Sequence, residues 1–133
     1  MTPAEEPESI LLAMERSALE RWGRGDPDGF LEISSEEVSY FDPFTSQRLD
    51  GLSALRTLYE QLRGKVQIDR FEIIAPRVQI SGDTAVLTFR FDSEGNFGVM
   101  RWNTTEVYRH GPGGWKIIHT HWAFHQPPLA DAS

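Results

Sequence analysis

Residues 105–122 read TEVYRHGPGGWKIIHTHW: a mixed charged and aromatic run, a Gly-rich turn, and a second run ending in histidines. The period is two on either side of the turn, which is the pattern of a β-hairpin. Extended backward, RWNTTEVYR (101–109) alternates an even set, Trp102, Thr104, Glu106 and Tyr108, with a more polar odd set. The even set carries two large aromatics and is assigned to the inner face of the sheet, although Val107 dissents. Glu106 is then a carboxylate on an otherwise aromatic wall. In the second run both parities begin apolar, with Trp115 and Ile117 against Ile118, which suggests a sheet covered on both faces. Further on, the even positions Thr120, Trp122 and Phe124 are placed inside. His119, His121 and His125 then share the outer face.

Working outward, TAVLTFRFD (84–92) puts Ala85, Leu87, Phe89 and Phe91 on one face, toward the core. VQIDRFEIIAPRVQI (66–80) is a long strand interrupted by Pro76, which favours a bend or a sheet edge. The N-terminal half has helical period. EPESILLAMERSALERW (6–22) carries a stripe of Leu11, Met14, Ala18 and Trp22 and is closed by Gly23 and Gly25. Asp26-Pro27 opens a short second helix through DGFLEI, and VSYFD (38–42) is a strand stopped by Pro43. Asp50 is expected to cap a third helix with Leu52, Leu55, Tyr59 and Leu62 on one face, ended by Gly64. Helices followed by a run of hairpin-linked strands give an α+β fold, with helices against one face of an antiparallel sheet.

At 133 residues the chain is expected to form one domain, 1–133, with an ordered core over residues 8–126, a frayed start over 1–6 and a tail from QPPLADAS. Thirteen basic against twenty acidic residues give a net charge of −7, which argues against nucleic acid and anionic membranes as partners. With no cysteine, disulfides, thiol catalysis and Cys-based metal sites are excluded. No apolar run approaches the roughly 20 residues of a membrane helix, and MTPAEEPESI lacks the features of a signal peptide. Cytoplasmic residence is the default expectation.

Three stretches together, ALERWGRGDPDGFLEI, YFDPFTSQRLDGLSALRTLYEQLRG and TEVYRHGPGGWKIIHTHW, resemble the NTF2-like superfamily. The nearest branches are its SnoaL-like proteins and the association domain of calcium/calmodulin-dependent kinase II. The resemblance spans residues 10–125. It implies a cone, in which a curved antiparallel sheet wraps around three helices from the N-terminal half and encloses a pocket. It also implies homodimers paired through the outer sheet face. Members include steroid isomerases, polyketide cyclases, dehydratases and epoxide hydrolases, as well as non-catalytic assembly modules, so the fold does not choose a function. The kinase association domain has arginine on its pocket wall where this chain has Glu106, and again where it has Trp122. A carboxylate-binding pocket of that kind is therefore not implied here.

Two carboxylates are candidates for proton transfer. Glu106, among Trp102, Tyr108 and Trp122, would be desolvated and its pKa raised, which suits an acid or base. Its structural alternative is an ion pair with Arg90 or Arg101. Asp42, at a strand end near the cone's mouth, could act as a base, or could simply organise an Asx-type turn before Pro43. Tyr40, Phe89, Phe91, Trp102, Tyr108, Thr120 and Trp122 are the expected ligand-binding surface. The His-x-His pair could ligate zinc or iron, but an outer-face position makes a subunit contact the better reading, so no metal is expected. The functional expectation is a cofactor-independent enzyme that moves a proton on a small apolar or cyclic molecule, as an isomerase, cyclase, dehydratase or hydrolase. The alternative is a non-catalytic module that binds a ligand or self-associates.

Overall fold

The structure, a computed structural model, describes residues 6–125. Residues 1–5 of the expected frayed start and the tail from Gln126 lie outside the described residues. Helix α1 (Pro7–Trp22) starts with proline in its first turn, where no N–H partner is needed. Helix α2 (Asp28–Glu32) follows, and the Asp26 carboxylate accepts the Asp28 N–H at 3.0 Å. After β1 (Ser34–Phe41) and the short β2 (Leu49–Asp50) comes α3 (Leu52–Leu62). Four long strands complete the chain: β3 (Ile68–Ser81), β4 (Thr84–Gly95), β5 (Gly98–Gly111) and β6 (Gly114–Phe124). Asp50 does not cap α3. It lies in β2 and its carboxylate accepts from Arg48 at 2.6 Å, while Gly51, at φ 92°, takes the cap position.

The six strands form one sheet in the order β2-β1-β6-β5-β4-β3. Strands β3 to β6 are successive antiparallel hairpins, as their turn residues imply. The pairing of β1 with β6 is parallel, so the sheet is mixed and only largely antiparallel. No local pattern marks that pairing, because it joins segments some eighty residues apart (Ser39 to His119). The concave face wraps α1 and α3. Leu11, Ala18 and Leu19 from α1 and Leu55 and Tyr59 from α3 pack with Val38, Leu87, Phe89 and Ile117 of the sheet. Each fully buried leucine contributes on the order of 2 kcal/mol by leaving water. Among the described residues, no helix is long and apolar enough to cross a membrane.

Two bulges place the side chains. Pro76 sits on the edge strand β3, as its missing N–H requires, and the register slips between Ile74 and Arg77, where Ala75 has φ 51°. The second bulge explains the doubly apolar start of β6. Val107 pairs with His119 but Tyr108 pairs with Ile117, so Ile118 is an extra residue and the facing parity changes there. Ile117 is fully buried before the bulge and Thr120 is buried after it. One inner face thus runs through residues of both parities, and double coverage is not needed to account for them.

Candidate functional site

Pairing across β4, β5 and β6 stacks the inward side chains in layers down the cone. Phe91, Trp102 and Phe124 form one layer, and Phe89, Thr104 and Trp122 form the next. Below them come Leu87, Glu106 and Thr120, and then Ala85 and Tyr108 with Ile117. Successive layers are two residues apart, or about 7 Å along a strand.

A cavity of about 380 Å³ opens at the upper layers, within the ~300–1,000 Å³ typical of small-molecule sites. The helices contribute Trp22, Phe30, Tyr59 and Leu62, and the chain from Tyr40 to Phe44 forms one rim. The opposite rim is the β4–β5 turn, where Asn96 donates to the Lys65 carbonyl at 2.6 Å and accepts from the Gln67 N–H at 2.9 Å. Of nineteen lining residues nine are aromatic, so the interior is built to exclude water. Trp102 and Trp122 meet at 81° with ring centroids 5.8 Å apart, forming a corner of two indoles. At the mouth, Phe44 and Phe97 remain 73% and 61% exposed, and Phe44 packs edge-on against Trp102 and Phe124.

Of the residues expected at a ligand surface, Tyr40, Phe91, Trp102 and Trp122 line this cavity, as does Asp42. Phe89, Tyr108 and Thr120 do not line it, and neither does Glu106; all four are buried beneath it. Asp42 organises the turn at the rim: Oδ1 accepts the N–H groups of Phe44 (2.7 Å) and Thr45 (2.9 Å), and Oδ2 accepts the Tyr40 hydroxyl (2.8 Å). The bonds to Phe44 and Thr45 form because Pro43 lacks an N–H and turns the chain back over the carboxylate. Burial, followed by the charge and hydrogen bonding of its neighbours, pushes the Tyr40 hydroxyl's pKa well up; the Tyr59 hydroxyl is raised by burial and then by the charge of Glu106.

Beneath the cavity the structure holds a pair that the sequence did not disclose. Glu15 of α1 and Glu106 of β5 are both 0% exposed. The Tyr108 hydroxyl donates to Glu15 Oε1 at 2.8 Å, and the Thr120 hydroxyl donates to Glu106 Oε2 at 3.1 Å. The other oxygens, Glu15 Oε2 and Glu106 Oε1, find no donor among the described side chains or backbone. The two carboxyls act on each other, and one proton held between them would satisfy both orphan oxygens. Among the described residues no lysine, arginine or histidine pairs with either group, so the alternative reading of Glu106, an ion pair with Arg90 or Arg101, is not formed. Burial pushes the Glu15 carboxyl up to about 7, and burial plus the Glu15 charge holds Glu106 well above the usual carboxylate range. Thr104 Oγ1, between the pair and the cavity, is a further buried polar atom without a partner.

Tyr108→Phe tests how firmly the pair is held. Removing the one donor to Glu15 Oε1 found among the described residues is expected to cost about 1–3 kcal/mol in urea denaturation, most of it above pH 7, where Glu15 is ionised. A cost below about 0.3 kcal/mol at that pH would mean the bond carries no weight.

The histidines lie on the outer face. His119 Nδ1 is 2.7 Å from the Ser39 hydroxyl, and Phe41 packs against the rings of His119 and His121. His125 Nδ1 meets Asn103 Oδ1 at 3.3 Å. Burial, then the charge of His121, lowers the His119 pKa.

A sheet curved around helices, with an aromatic pocket between them, is the architecture of the NTF2-like superfamily. The chain belongs to the SnoaL-like domain family, whose profile matches residues 15–126. It is 40% identical to a candidate ketosteroid isomerase from Parabacteroides distasonis, with 92% of this chain and 91% of that one covered and a TM-score of 0.84. It is similar in fold to an NTF2-like protein of unknown function from Pseudomonas putida (21% identity, 95% of each chain, TM-score 0.79). The CaMKII hub of S. rosetta is also similar in fold (22% identity, 93% of this chain and 100% of that one, TM-score 0.73). No curated protein matches significantly.

Proposed function

We propose that the protein is a cofactor-independent enzyme that moves a proton on an apolar cyclic molecule held in the aromatic cavity. The observation that carries this reading is the Asp42 carboxylate on the cavity wall, aligned by three donors beside the tyrosine pair Tyr40 and Tyr59. The likeness to the candidate ketosteroid isomerase supports it. In this reading Asp42 takes a proton from the carbon next to a ring carbonyl and returns it two carbons further along. The Tyr59 hydroxyl donates to the enolate oxygen in between. Glu106, with Glu15, is a positioning group one layer below: its charge adjusts Tyr59 without touching the substrate.

The test is isomerisation of a β,γ-unsaturated cyclic ketone, such as a ketosteroid, followed by the absorbance of the conjugated enone. Asp42→Asn keeps an acceptor for the Phe44 and Thr45 N–H groups, so the turn survives. The variant is expected to lose at least about 100-fold in kcat/KM. Wild-type turnover no faster than that of the variant would discard the reaction. It would favour the second reading, a ligand-binding or self-associating module, which the likeness to the CaMKII hub supports. We assign the outer sheet face, with Phe41, His119 and His121, to pairing of two copies.

A further inference from the structure

The cavity has a one-sided charge inventory. Its lining contains one carboxylate, Asp42, and among the described residues no lysine, arginine or histidine. The remaining polar groups on the wall are neutral, including Ser93, Asn96 and Gln67. Below the floor sit the two carboxyls of Glu15 and Glu106, again without a basic partner. The surrounding chain carries a net charge of −7. The one charged side chain on this lining is therefore negative, in surroundings where aromatic walls keep water out and weaken screening.

The walls point the same way. Aromatic rings present negative faces, and a cation near several of them is attracted from more than one direction. The indoles of Trp102 and Trp122, at 81° to each other, make such a corner, and Trp22 and Tyr59 add a tilted pair at 5.0 Å. Asp42 also has capacity to spare. A carboxylate offers about four acceptor directions, and Phe44, Thr45 and Tyr40 use three of them. The remaining direction is on Oδ2, where one N–H of an ammonium group could be accepted without breaking the turn.

We propose that this cavity also takes a bulky apolar amine as a ligand, bound as its ammonium ion between the Asp42 carboxylate and the aromatic walls, where it would compete with any substrate of Asp42. The proposal shares with the preceding section the cavity as ligand site, and it is independent of any reaction there. A neutral ring system would use the walls alone. An apolar carboxylate would meet Asp42 with no basic group to offset the repulsion.

Three rigid probes of one shape separate these cases: adamantylammonium, adamantanol and adamantanecarboxylate, titrated into the full chain near neutral pH. Calorimetry and the fluorescence of the cavity tryptophans report binding. The ammonium is expected to bind at least about tenfold more tightly than the alcohol, and the carboxylate at least about tenfold more weakly than the alcohol. In Asp42→Asn the alcohol should keep its affinity within about twofold, which shows the cavity intact, while the ammonium's advantage falls to about threefold or less. The proposal is overturned if the alcohol or the carboxylate matches the ammonium, or if the variant keeps the full advantage. Alcohol binding without ammonium preference leaves the proposed enzyme standing. Failure of all three probes to bind likewise overturns the proposal, and the proposed reaction then stands or falls on its own turnover assay.

Discussion

Glu106→Gln is expected to stabilise the protein at pH 8 by about 3 kcal/mol and to leave stability near pH 4.5 within about 1 kcal/mol of wild type. Both folded-state carboxyls are raised above the ordinary value of 4.5, Glu15 to about 7. Between those pH values the unfolded chain has released protons that the folded chain still holds. Stability therefore falls as pH rises from about 4.5 through about 7, the opposite of a salt-bridged carboxylate. Glutamine removes one charge from the pair and supplies the missing donor. Its amide oxygen can accept from Thr120, which leaves the N–H₂ as a donor in a place where Glu15 Oε2 lacks one. With about 3 kcal/mol recovered, the melting temperature at pH 8 should rise by roughly 10 °C. Parallel pH profiles for wild type and variant would show that the two carboxyls do not share a proton. Self-repulsion of an acidic protein also weakens it at high pH, but it acts on both proteins alike and cancels in the difference.

Gly95→Ala is expected to be as severe in the other direction. A Cβ at this position would lie 2.0 Å from the Gln67 carbonyl oxygen and 2.8 Å from Ile68 Cα. Both are backbone atoms and cannot rotate away. Glycine is required here for space, since its φ is not in the left-handed region. The clash falls on the clamp that joins the start of β3 to the end of β4, where the Asn96 N–H donates to the same Gln67 oxygen at 2.9 Å. Alanine must part the two segments, at a cost of about 3 kcal/mol and a fall of roughly 10 °C in melting temperature. Gln67, Ile68, Gly95 and Asn96 all line the cavity, so ligand affinity should fall with it. A melting temperature within about 2 °C of wild type would show that the approach relaxes freely.

Much of the fold was legible because it is local. The alternation of Ala85, Leu87, Phe89 and Phe91 is reproduced in their burial, and Thr104, Glu106 and Tyr108 face inward as their parity requires. Pro76 announced an edge strand with a bend. The candidate site was legible only in part. Tyr40, Asp42, Phe91, Trp102 and Trp122 reach the cavity because they occupy the upper layers. Phe89, Glu106, Tyr108 and Thr120 share the same inner face but lie deeper. Parity assigns a face, whereas depth along the cone depends on where the helices fill it. Glu15 was overlooked although a signal existed: Leu11, Glu15, Ala18 and Trp22 follow the helical period closely, with one charged residue in an otherwise apolar stripe. Taking Met14 in place of Glu15 in the stripe concealed it.

Length, charge, the absence of cysteine, the helix-then-strand order and the inward parity of β4 and β5 follow from the sequence by itself, because each depends on neighbours a few residues apart. Three features came only with the tertiary structure: the parallel β1–β6 pairing, the Ile118 bulge that changes parity within one strand, and the meeting of Glu15 with Glu106. The first and last depend on contacts between distant segments, and the bulge on how the β5–β6 hairpin pairs across its two strands. The raised carboxyl pair, above all, exists only because two glutamates ninety-one positions apart are both buried, with no cation paired to either among the described residues.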